Sequence, residues 1–343
     1  MSTLAVALGL STPVIAAPMA GGAGTPALVT AAARAGSLGF VAAGYKTPQA
    51  LADDIDTVAG ASVPFGVNLF APNPVPVDRA AFRRYAELIA VEARRYGIAP
   101  DPGAPVEDDD RWHDKLDVLR AAPVPVVSFT FGIPNRDDLA ALRRTGALLV
   151  QTVTTVEEAR AAAEAGVDAL AVQSAAAGGH SGTLTPTRPL AETPITDLVA
   201  AVRHAVDLPV IAAGGLATPD GVAAAIRAGA DAVAVGTVLL RSDEAGNSAT
   251  HRAALADPGR TGTVLTHAFT GRPARALRNA FTDRYGGLAP YGYPALHHLT
   301  AAMRRAAAAA GDPERVHLWA GTGYRHATEG PATEILTRLA ARL

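Results

Sequence analysis

Short apolar segments alternate with Ala-rich helical segments along most of this chain. They occupy residues 14–20, 38–44, 64–70, 124–131, 147–153, 169–174, 208–215 and 232–240. Each is apolar on both faces, which is typical of parallel strands covered by helices. Eight such strands, most of them separated by one helix, predict a (β/α)8 TIM barrel, with a doubly wound open sheet as the alternative.

Two segments interrupt this alternation. Residues 73–121 separate the third and fourth strands, and from about residue 247 the pattern becomes helical and turn-rich, with no clear strand as far as residue 324. We therefore expect a barrel of residues 1–72, 122–246 and 325–343. A smaller, mostly helical cap would comprise residues 73–121 and 247–324. The amphipathic segment 331–343 is expected to return to the barrel.

Composition excludes several kinds of chemistry. The chain has no cysteine, which removes disulfides, thiolate nucleophiles and iron–sulfur clusters. Its net charge of −2 shows no basic surplus, so a nucleic-acid partner is not expected. No apolar stretch is long enough for a membrane span, and the apolar start lacks a basic region, so we expect a soluble, cytoplasmic protein. Lys46 and Lys115 are the only candidates for a Schiff base.

The histidines give no sign of a metal site. His297 and His298 are adjacent, and adjacent residues do not share a helical face. We therefore expect no bound metal. Nothing in the sequence decides between a monomer and a homodimer.

Glycines mark two strand ends where a phosphate could bind. Gly214 and Gly215 end the seventh predicted strand, and Gly236 with Thr237 lies in the eighth. Barrels commonly bind phosphate in these two loops, where bare backbone N–H groups can reach the anion. The segment GGAGTPA at 21–27 imitates a dinucleotide fingerprint, but no acidic residue follows the second strand, so we reject a Rossmann fold.

Two amide side chains interrupt apolar strands at their carboxyl ends, namely Asn68 and Gln173. A buried amide costs free energy unless it is hydrogen-bonded. These positions therefore suggest contact with a ligand, although neighbouring loops could satisfy the same groups.

Several motifs together resemble a known family. They are AAPMAGG, PFGVNLF, FGIP, QSAAAGGHSGT, PVIAAGGLATPDGV and AVGTVLL, with YGYPALHHLT and LWAGTGYRHA near the end of the chain. Across nearly the whole chain they are similar to nitronate monooxygenases of class I, formerly called 2-nitropropane dioxygenases. The resemblance implies an FMN-dependent barrel that oxidises alkyl nitronates, such as propionate 3-nitronate, with O2 to carbonyl compounds and nitrite. It also implies flavin contacts at Met19, Asn68, Gln173, Gly178, Gly179, Gly214, Gly215, Ala234, Val235, Gly236 and Thr237.

His180 is the catalytic residue that this resemblance implies. Gly178 and Gly179 let the backbone approach a flat ring closely, which leaves the imidazole as the nearby group able to titrate or donate a hydrogen bond. We favour a donor to a preformed nitronate and expect little activity on neutral nitroalkanes. The family often has arginine after this histidine, whereas this chain has Ser181; Lys46 or Arg188 could supply the positive charge instead. Further substrate candidates are Tyr291, Tyr293 and His297.

Two other functions stay open. One is an FMN-dependent reductase on the same barrel, which would use NAD(P)H to reduce a quinone or an enoyl thioester. The other is a flavin- or phosphate-binding protein without catalysis, although His180 would then have no task.

Overall fold

Eight parallel strands form the centre of the molecule in the computed structural model, which describes residues 9–343. The strands of residues 9–343 are β1 (Val14–Ala16), β2 (Phe40–Ala42), β3 (Gly66–Ala71), β4 (Val126–Phe131), β5 (Leu148–Val153), β6 (Ala169–Gln173), β7 (Gly179–His180), β8 (Val210–Ala213), β9 (Ala232–Val235), β10 (Thr263–Thr266) and β11 (Ala274–Leu277). The eight parallel strands follow the neighbour order β1-β9-β8-β6-β5-β4-β3-β2, and a parallel bridge between Ala16 and Gly39 joins β1 to the β2 edge. The fold is thus the predicted (β/α)8 TIM barrel.

Several barrel strands end earlier than their apolar runs predict. The run 208–215 stops being a strand at Ala213, because Gly214 and Gly215 adopt φ values of +108° and +73°. Such left-handed backbone turns the chain out of the sheet. Similarly, β9 ends at Val235 and a short 3-10 turn, Thr237–Leu239, follows it.

Helices cover the outside of the barrel and begin at well-formed caps. The side chains of Thr25, Thr47 and Thr218 each accept a backbone N–H three residues on, and a proline follows each of them. The α-helices of the described residues are α1 (Pro26–Arg34), α2 (Pro48–Ala59), α3 (Arg79–Ala93), α4 (Trp112–Ala121), α5 (Arg136–Arg143), α6 (Val156–Ala165), α7 (Ile195–Ala205), α8 (Pro219–Arg227), α9 (Ala249–Ala256), α10 (Ala280–Tyr285), α11 (Ala295–Ala309) and α12 (Ala332–Leu339). None of the helices in the described part of the chain is long and apolar enough to cross a membrane.

The last helix packs against the first strand and the first helix of the barrel. Ile335, Leu336 and Leu339 of α12 are buried in the same core cluster as Val14 of β1 and Leu28 of α1. This packing joins the end of the chain to its first strand.

A second sheet corrects the expectation that residues 247–324 contain no strand. It has three antiparallel strands, β10, β11 and β7, and pairs Ala274 with His180 and Arg275 with Gly179. The segment after β6 therefore leaves the barrel and is held by the C-terminal part of the chain.

The two interrupting segments pack against each other. Phe82, Tyr85 and Ile89 of α3 share an apolar cluster with Phe281 of α10 and Leu296 of α11. We propose that this cluster is the core of the cap expected from the sequence.

Candidate active site

A cavity of about 640 Å³ lies at the carboxyl ends of the barrel strands. It is lined from the strand ends by residues such as Ala17 after β1, Asn68 on β3, Gln173 on β6 and Gly236 after β9. In TIM-barrel enzymes this end of the barrel carries the active site. The cofactor-binding residues predicted from the sequence all line the cavity: Met19, Asn68, Gln173, Gly178, Gly179, Gly214, Gly215, Ala234, Val235, Gly236 and Thr237.

Glycines let three segments of backbone meet at the rim of this cavity. A Cβ on Gly178 would lie 2.5 Å from the backbone nitrogen of Gly321, and one on Gly214 would lie 2.6 Å from Ser174 Oγ. The N–H of Gly321 donates to Thr237 Oγ1 over 2.9 Å, which ties the loop after β9 to the C-terminal segment. Gly321 lies within the motif LWAGTGYRHA, but no role was predicted for it from the sequence.

The amide of Asn68 is held by the neighbouring strand β4. Its Nδ2 donates to Ser128 Oγ over 2.9 Å and to Thr130 Oγ1 over 3.1 Å. Asn68 is 3% exposed, and among residues 9–343 no donor is hydrogen-bonded to its Oδ1. The amide is therefore fixed in orientation with its oxygen available to a ligand.

Gln173 holds the segment that carries His180. Its Nε2 donates to the carbonyl of His180 over 3.2 Å, and its Oε1 accepts the N–H of Gly182 over 2.7 Å. Both ends of the amide are thus hydrogen-bonded to backbone. The side chain also lines the cavity, so it fixes the histidine segment next to any ligand there.

His180 lies on β7 with its ring in an aromatic environment. The rings of Phe131, Tyr293 and Trp319 lie 5.7, 5.8 and 5.3 Å from it, centroid to centroid. Its Nε2 is 2.9 Å from Thr270 Oγ1. Burial, reinforced by the positive charge of Arg272 and then of Arg304, lowers the pKa of His180 to about 3. The imidazole is therefore neutral at neutral pH.

Arg304 brings a positive charge into the same cavity. This residue of α11 is 5% exposed and lines the cavity. It donates to Thr300 Oγ1 over 2.9 Å and to the carbonyl of His297 over 2.9 Å, and among residues 9–343 no carboxylate forms an ion pair with it. Burial lowers its pKa only to about 10, so the guanidinium stays charged. The cavity therefore contains a buried cation that no carboxylate of the described residues neutralises.

A second arginine, Arg272, lies behind the cavity wall. It is fully buried, and its guanidinium carbon lies 4.0 Å from the centre of the Phe131 ring. Phe131 itself has a φ of +84°, a region that costs an aromatic residue free energy and often marks a functional site. Sequence reasoning missed both arginines, since neither lies near the glycine and histidine motifs along the chain.

Comparison with known proteins gives a consistent answer. The profile of the family described as nitronate monooxygenase matches residues 3–342. A probable nitronate monooxygenase of Staphylococcus aureus strain Newman is 36% identical over 337 residues, which cover 97% of this chain and 94% of that protein.

The chain belongs to the nitronate monooxygenase family.

Two solved structures support this assignment. A nitroalkane oxidase from Streptomyces ansochromogenes superposes with a TM-score of 0.93 and 46% identity, covering 100% of this chain and 98% of the other. FabK from Thermotoga maritima gives a TM-score of 0.76 and 26% identity, covering 99% and 94%. As a nitronate monooxygenase family member, the protein is a flavin-dependent oxidoreductase, and the family implies a small-molecule substrate and O2.

The cavity fits a flavin. Neighbouring protein atoms do not require residue 236 to be a glycine, because a Cβ there would come no closer than 3.5 Å to Met19 Sδ. The absence of a side chain at Gly236 instead keeps the cavity open at its rim, where Gly214 and Thr237 also lie. Asn68 offers a fixed amide oxygen to a polar ring edge. In residues 9–343 no group of three His, Asp or Glu side chains could hold a metal ion.

Two of the substrate-binding residues predicted from the sequence, His297 and Tyr293, contact Tyr45. His297 lines the cavity and stacks on Tyr45, with ring centroids 4.0 Å apart. The hydroxyl of Tyr293 donates to that of Tyr45 over 3.4 Å, and its ring packs on His180. Tyr45, which the sequence did not single out, thus connects two of the candidates.

Other candidates lie outside the described lining of the cavity. Lys46 forms an ion pair with Asp54, Arg188 is exposed, and Tyr291 stacks on His267 with centroids 4.3 Å apart. Ser181 is buried, and its N–H donates to the carbonyl of Pro273. Lys115, the second Schiff-base candidate, is buried in an ion pair with Asp110 and is likewise not part of the lining.

Proposed function

We propose that the protein binds FMN in this cavity and oxidises alkyl nitronates, such as propionate 3-nitronate, with O2 to carbonyl compounds and nitrite. The glycine rim would hold the phosphate, with Gly214, Gly215, Gly236 and Thr237 around it, and Asn68 would contact the ring. Bound FMN would supply the transfer of electrons from the nitronate towards O2. Met19 would pack against the flavin as an apolar wall.

The uncompensated charge of Arg304 is the observation that carries this proposal. A nitronate is an anion, and in a buried cavity an anion is stable only beside a cation or hydrogen-bond donors. Arg304 lines the cavity together with His180, and its charge lowers the pKa of that histidine. We infer that the nitronate binds between these two side chains, with His297 and Tyr45 closing one side.

Anaerobic spectroscopy tests this function directly. Addition of a nitronate to the purified holoenzyme under nitrogen should bleach the oxidised flavin spectrum, and admission of O2 should restore it with release of nitrite. NADH or NADPH in the parallel experiment should leave the spectrum unchanged within the same time. A flavin that NAD(P)H reduces and nitronates do not would exclude nitronate oxidation.

The role of His180 is tested by replacing it with asparagine, which keeps a polar side chain of similar size. His180→Asn should retain FMN, because the glycine rim and Asn68 are unchanged. Turnover should fall by about 10²–10⁴-fold, the usual contribution of a group that exchanges a proton or hydrogen bond with the substrate. Near-normal turnover with full FMN occupancy would leave His180 with a structural role only.

A second candidate function rests on the similarity to FabK of Thermotoga maritima over 99% of the chain. It is the NAD(P)H-dependent reduction of a quinone or an enoyl thioester on the same barrel. The anaerobic experiment separates the two functions, because only the reductase is reduced by NAD(P)H.

A further inference from the structure

The hydroxyl of Tyr45 carries a proton that no described residue accepts. The Tyr293 hydroxyl donates to Tyr45 Oη over 3.4 Å, which uses the single proton of Tyr293. Among residues 9–343 no acceptor is hydrogen-bonded to the proton of Tyr45. Tyr45 lines the cavity and Tyr293 is not part of that lining. The free proton of this pair is therefore available to a molecule bound in the cavity.

A neutral donor and a cation thus face the same space. Burial raises the pKa of Tyr45 to about 12, against smaller opposing effects of the Tyr293 hydrogen bond and the charge of Arg304. The hydroxyl therefore keeps its proton at neutral pH. Because Arg304 is close enough to act on Tyr45, an anion with two oxygens could pair with the guanidinium and accept the hydroxyl proton together.

The backbone and the ring of Tyr45 are both held in place. Its φ is +67°, a left-handed conformation that costs an aromatic residue free energy. Its N–H donates to Asp110 Oδ1 over 3.0 Å, and its ring stacks on His297 with centroids 4.0 Å apart. The direction of the hydroxyl is therefore set by contacts on two sides.

Asp110 belongs to the acidic run EDDD at 107–110, in the first segment that interrupts the barrel. Its carboxylate forms an ion pair with the fully buried Lys115 at 2.7 Å, and Lys115 Nζ donates to the carbonyl of Ala43 over 3.0 Å. The loop after β2 is thus bound at two points, Ala43 and Tyr45, by one pair of opposite charges. This contact connects the interrupting segment to the cavity.

We propose that the Tyr45 hydroxyl donates a hydrogen bond to one oxygen of the bound nitronate, and that Asp110 is a positioning residue that holds Tyr45 for this contact. The proposal rests on the proposed function, since it names a further contact of the same substrate. A nitronate shares its negative charge between two oxygens. One of them would face Arg304 and the other would accept the proton of Tyr45.

Nitrite binding tests the donor without any turnover. Nitrite has two oxygens on one nitrogen, as a nitronate does, and the FMN-loaded enzyme is titrated with it while the flavin absorbance is followed. Tyr45→Phe keeps the stacked ring and removes the hydroxyl, so the Kd should rise at least about tenfold, as for a hydrogen bond to a charged group. Equal affinity of the wild type and Tyr45→Phe, or binding to neither, would overturn the proposal.

Tyr96→Phe is the matched control for the loss of a hydroxyl. Tyr96 lies in the same interrupting segment, its hydroxyl donates to Asp312 over 2.6 Å, and it is not part of the cavity lining. This variant should bind nitrite as the wild type does. Weaker binding in Tyr96→Phe, equal to that in Tyr45→Phe, would mean that the hydroxyl of Tyr45 has no special part.

Steady-state kinetics with propionate 3-nitronate separate binding from chemistry. A hydrogen bond to the nitronate that is present before and during the reaction affects binding uniformly. Tyr45→Phe should therefore raise KM about as much as it raises the Kd of nitrite, with little change in kcat. A lower kcat at unchanged KM would contradict this role.

A double-mutant cycle tests Asp110. Asp110→Asn should weaken nitrite binding in the wild-type background and have no effect in the Tyr45→Phe background, because Asp110 acts through Tyr45. If Asp110→Asn does not fold because Lys115 is left unpaired, Asp110→Asn with Lys115→Met removes both charges and takes its place in the cycle. Equal effects in the two backgrounds would refute the positioning role.

The outcomes separate this proposal from the proposed function. Nitronate oxidation with an unchanged KM and nitrite affinity in Tyr45→Phe would refute the role of Tyr45 alone. An enzyme that oxidises no nitronate refutes the proposed function, and the nitrite titration still decides whether Tyr45 donates to an anion in the cavity.

Discussion

Gly236 differs from its neighbours at the cavity rim because its own packing would tolerate a side chain. Gly215 has a φ of +73° and would place a Cβ 3.1 Å from the Cβ of Ala176, so any substitution there strains the protein itself. At Gly236 the φ is −122° and the nearest atom to a Cβ is 3.5 Å away. A change at Gly236 therefore affects the space in the cavity and leaves the fold intact.

Gly236→Val should yield folded protein that lacks FMN. The valine methyl groups would fill the space proposed for the phosphate, while the far-UV circular dichroism and the melting temperature of the apo form stay close to those of wild-type apo protein. Flavin content is measured by absorbance after purification and after incubation with excess FMN. Gly262→Val is the matched control, since a Cβ at Gly262 meets nothing within 4 Å and that residue is not part of the cavity lining. Full flavin occupancy in Gly236→Val would mean that the phosphate binds elsewhere.

At the level of single residues, the sequence predicted those site residues that differ clearly from their neighbours in the chain. Asn68 and Gln173 stood out because an amide interrupts an apolar strand, and His180 because glycines surround it. Arg272 and Arg304 did not stand out, because nothing near them in the chain distinguishes a buried arginine from an exposed one. Arg272, for example, packs on Phe131, which is distant from it in the chain.

Between elements, Glu92 of α3 connects the two segments that interrupt the barrel. This carboxylate is 3% exposed and forms ion pairs with Arg315 at 2.9 Å, Arg95 at 3.0 Å and Arg284 at 3.5 Å. The Tyr285 hydroxyl also donates to it over 3.2 Å. Burial alone would raise the pKa of Glu92, but the hydrogen bond and charge of Arg315 and the charge of Arg95 outweigh it, so the pKa is lowered.

Because its pKa is lower in the folded protein, Glu92 stabilises the fold above the pKa of an unfolded glutamate, and this stabilisation is lost as pH falls through the folded value. Glu92→Gln should reduce the free energy of unfolding at pH 7 by on the order of 2 kcal/mol, as for hydrogen bonds to charged groups. The difference from wild type should shrink in urea titrations towards pH 4. Glu87→Gln, an exposed position on the same helix, should change stability little at either pH. A loss in Glu92→Gln that is equal at both pH values would contradict this assignment.

The strands of the second sheet show why some elements could not be predicted. Residues 274–277 read ARAL, and alanine, arginine and leucine are all good helix formers. They form a strand because β10, β7 and a bridge from Ala276 to Trp319 supply partners from three other parts of the chain. Tertiary contacts have overridden local preference here. By contrast, the barrel strands are mostly apolar and could be recognised without their partners.

For the whole molecule, the architecture predicts which flavin is bound. The rim brings together glycines suited to one terminal phosphate. Ala43 and Gly44 follow β2, with no carboxylate there to hold an adenosine ribose. Protein purified without added cofactor should be yellow and should release FMN, and no FAD, when it is denatured and the supernatant is analysed by chromatography. Released FAD, or colourless protein that FMN cannot restore, would be the contrary result.

The meeting of Gly178 with Gly321 has a consequence for how the enzyme matures in the cell. One wall of the cavity comes from the middle of the chain and the other from its last 23 residues, and α12 completes the barrel only after that. Before the segment around Gly321 has been synthesised, the loops after β8 and β9 lack the opposite wall of the cavity. The cavity is therefore complete only when this segment has folded against the middle of the chain. A chain truncated before Gly321 would lack one wall of the cavity.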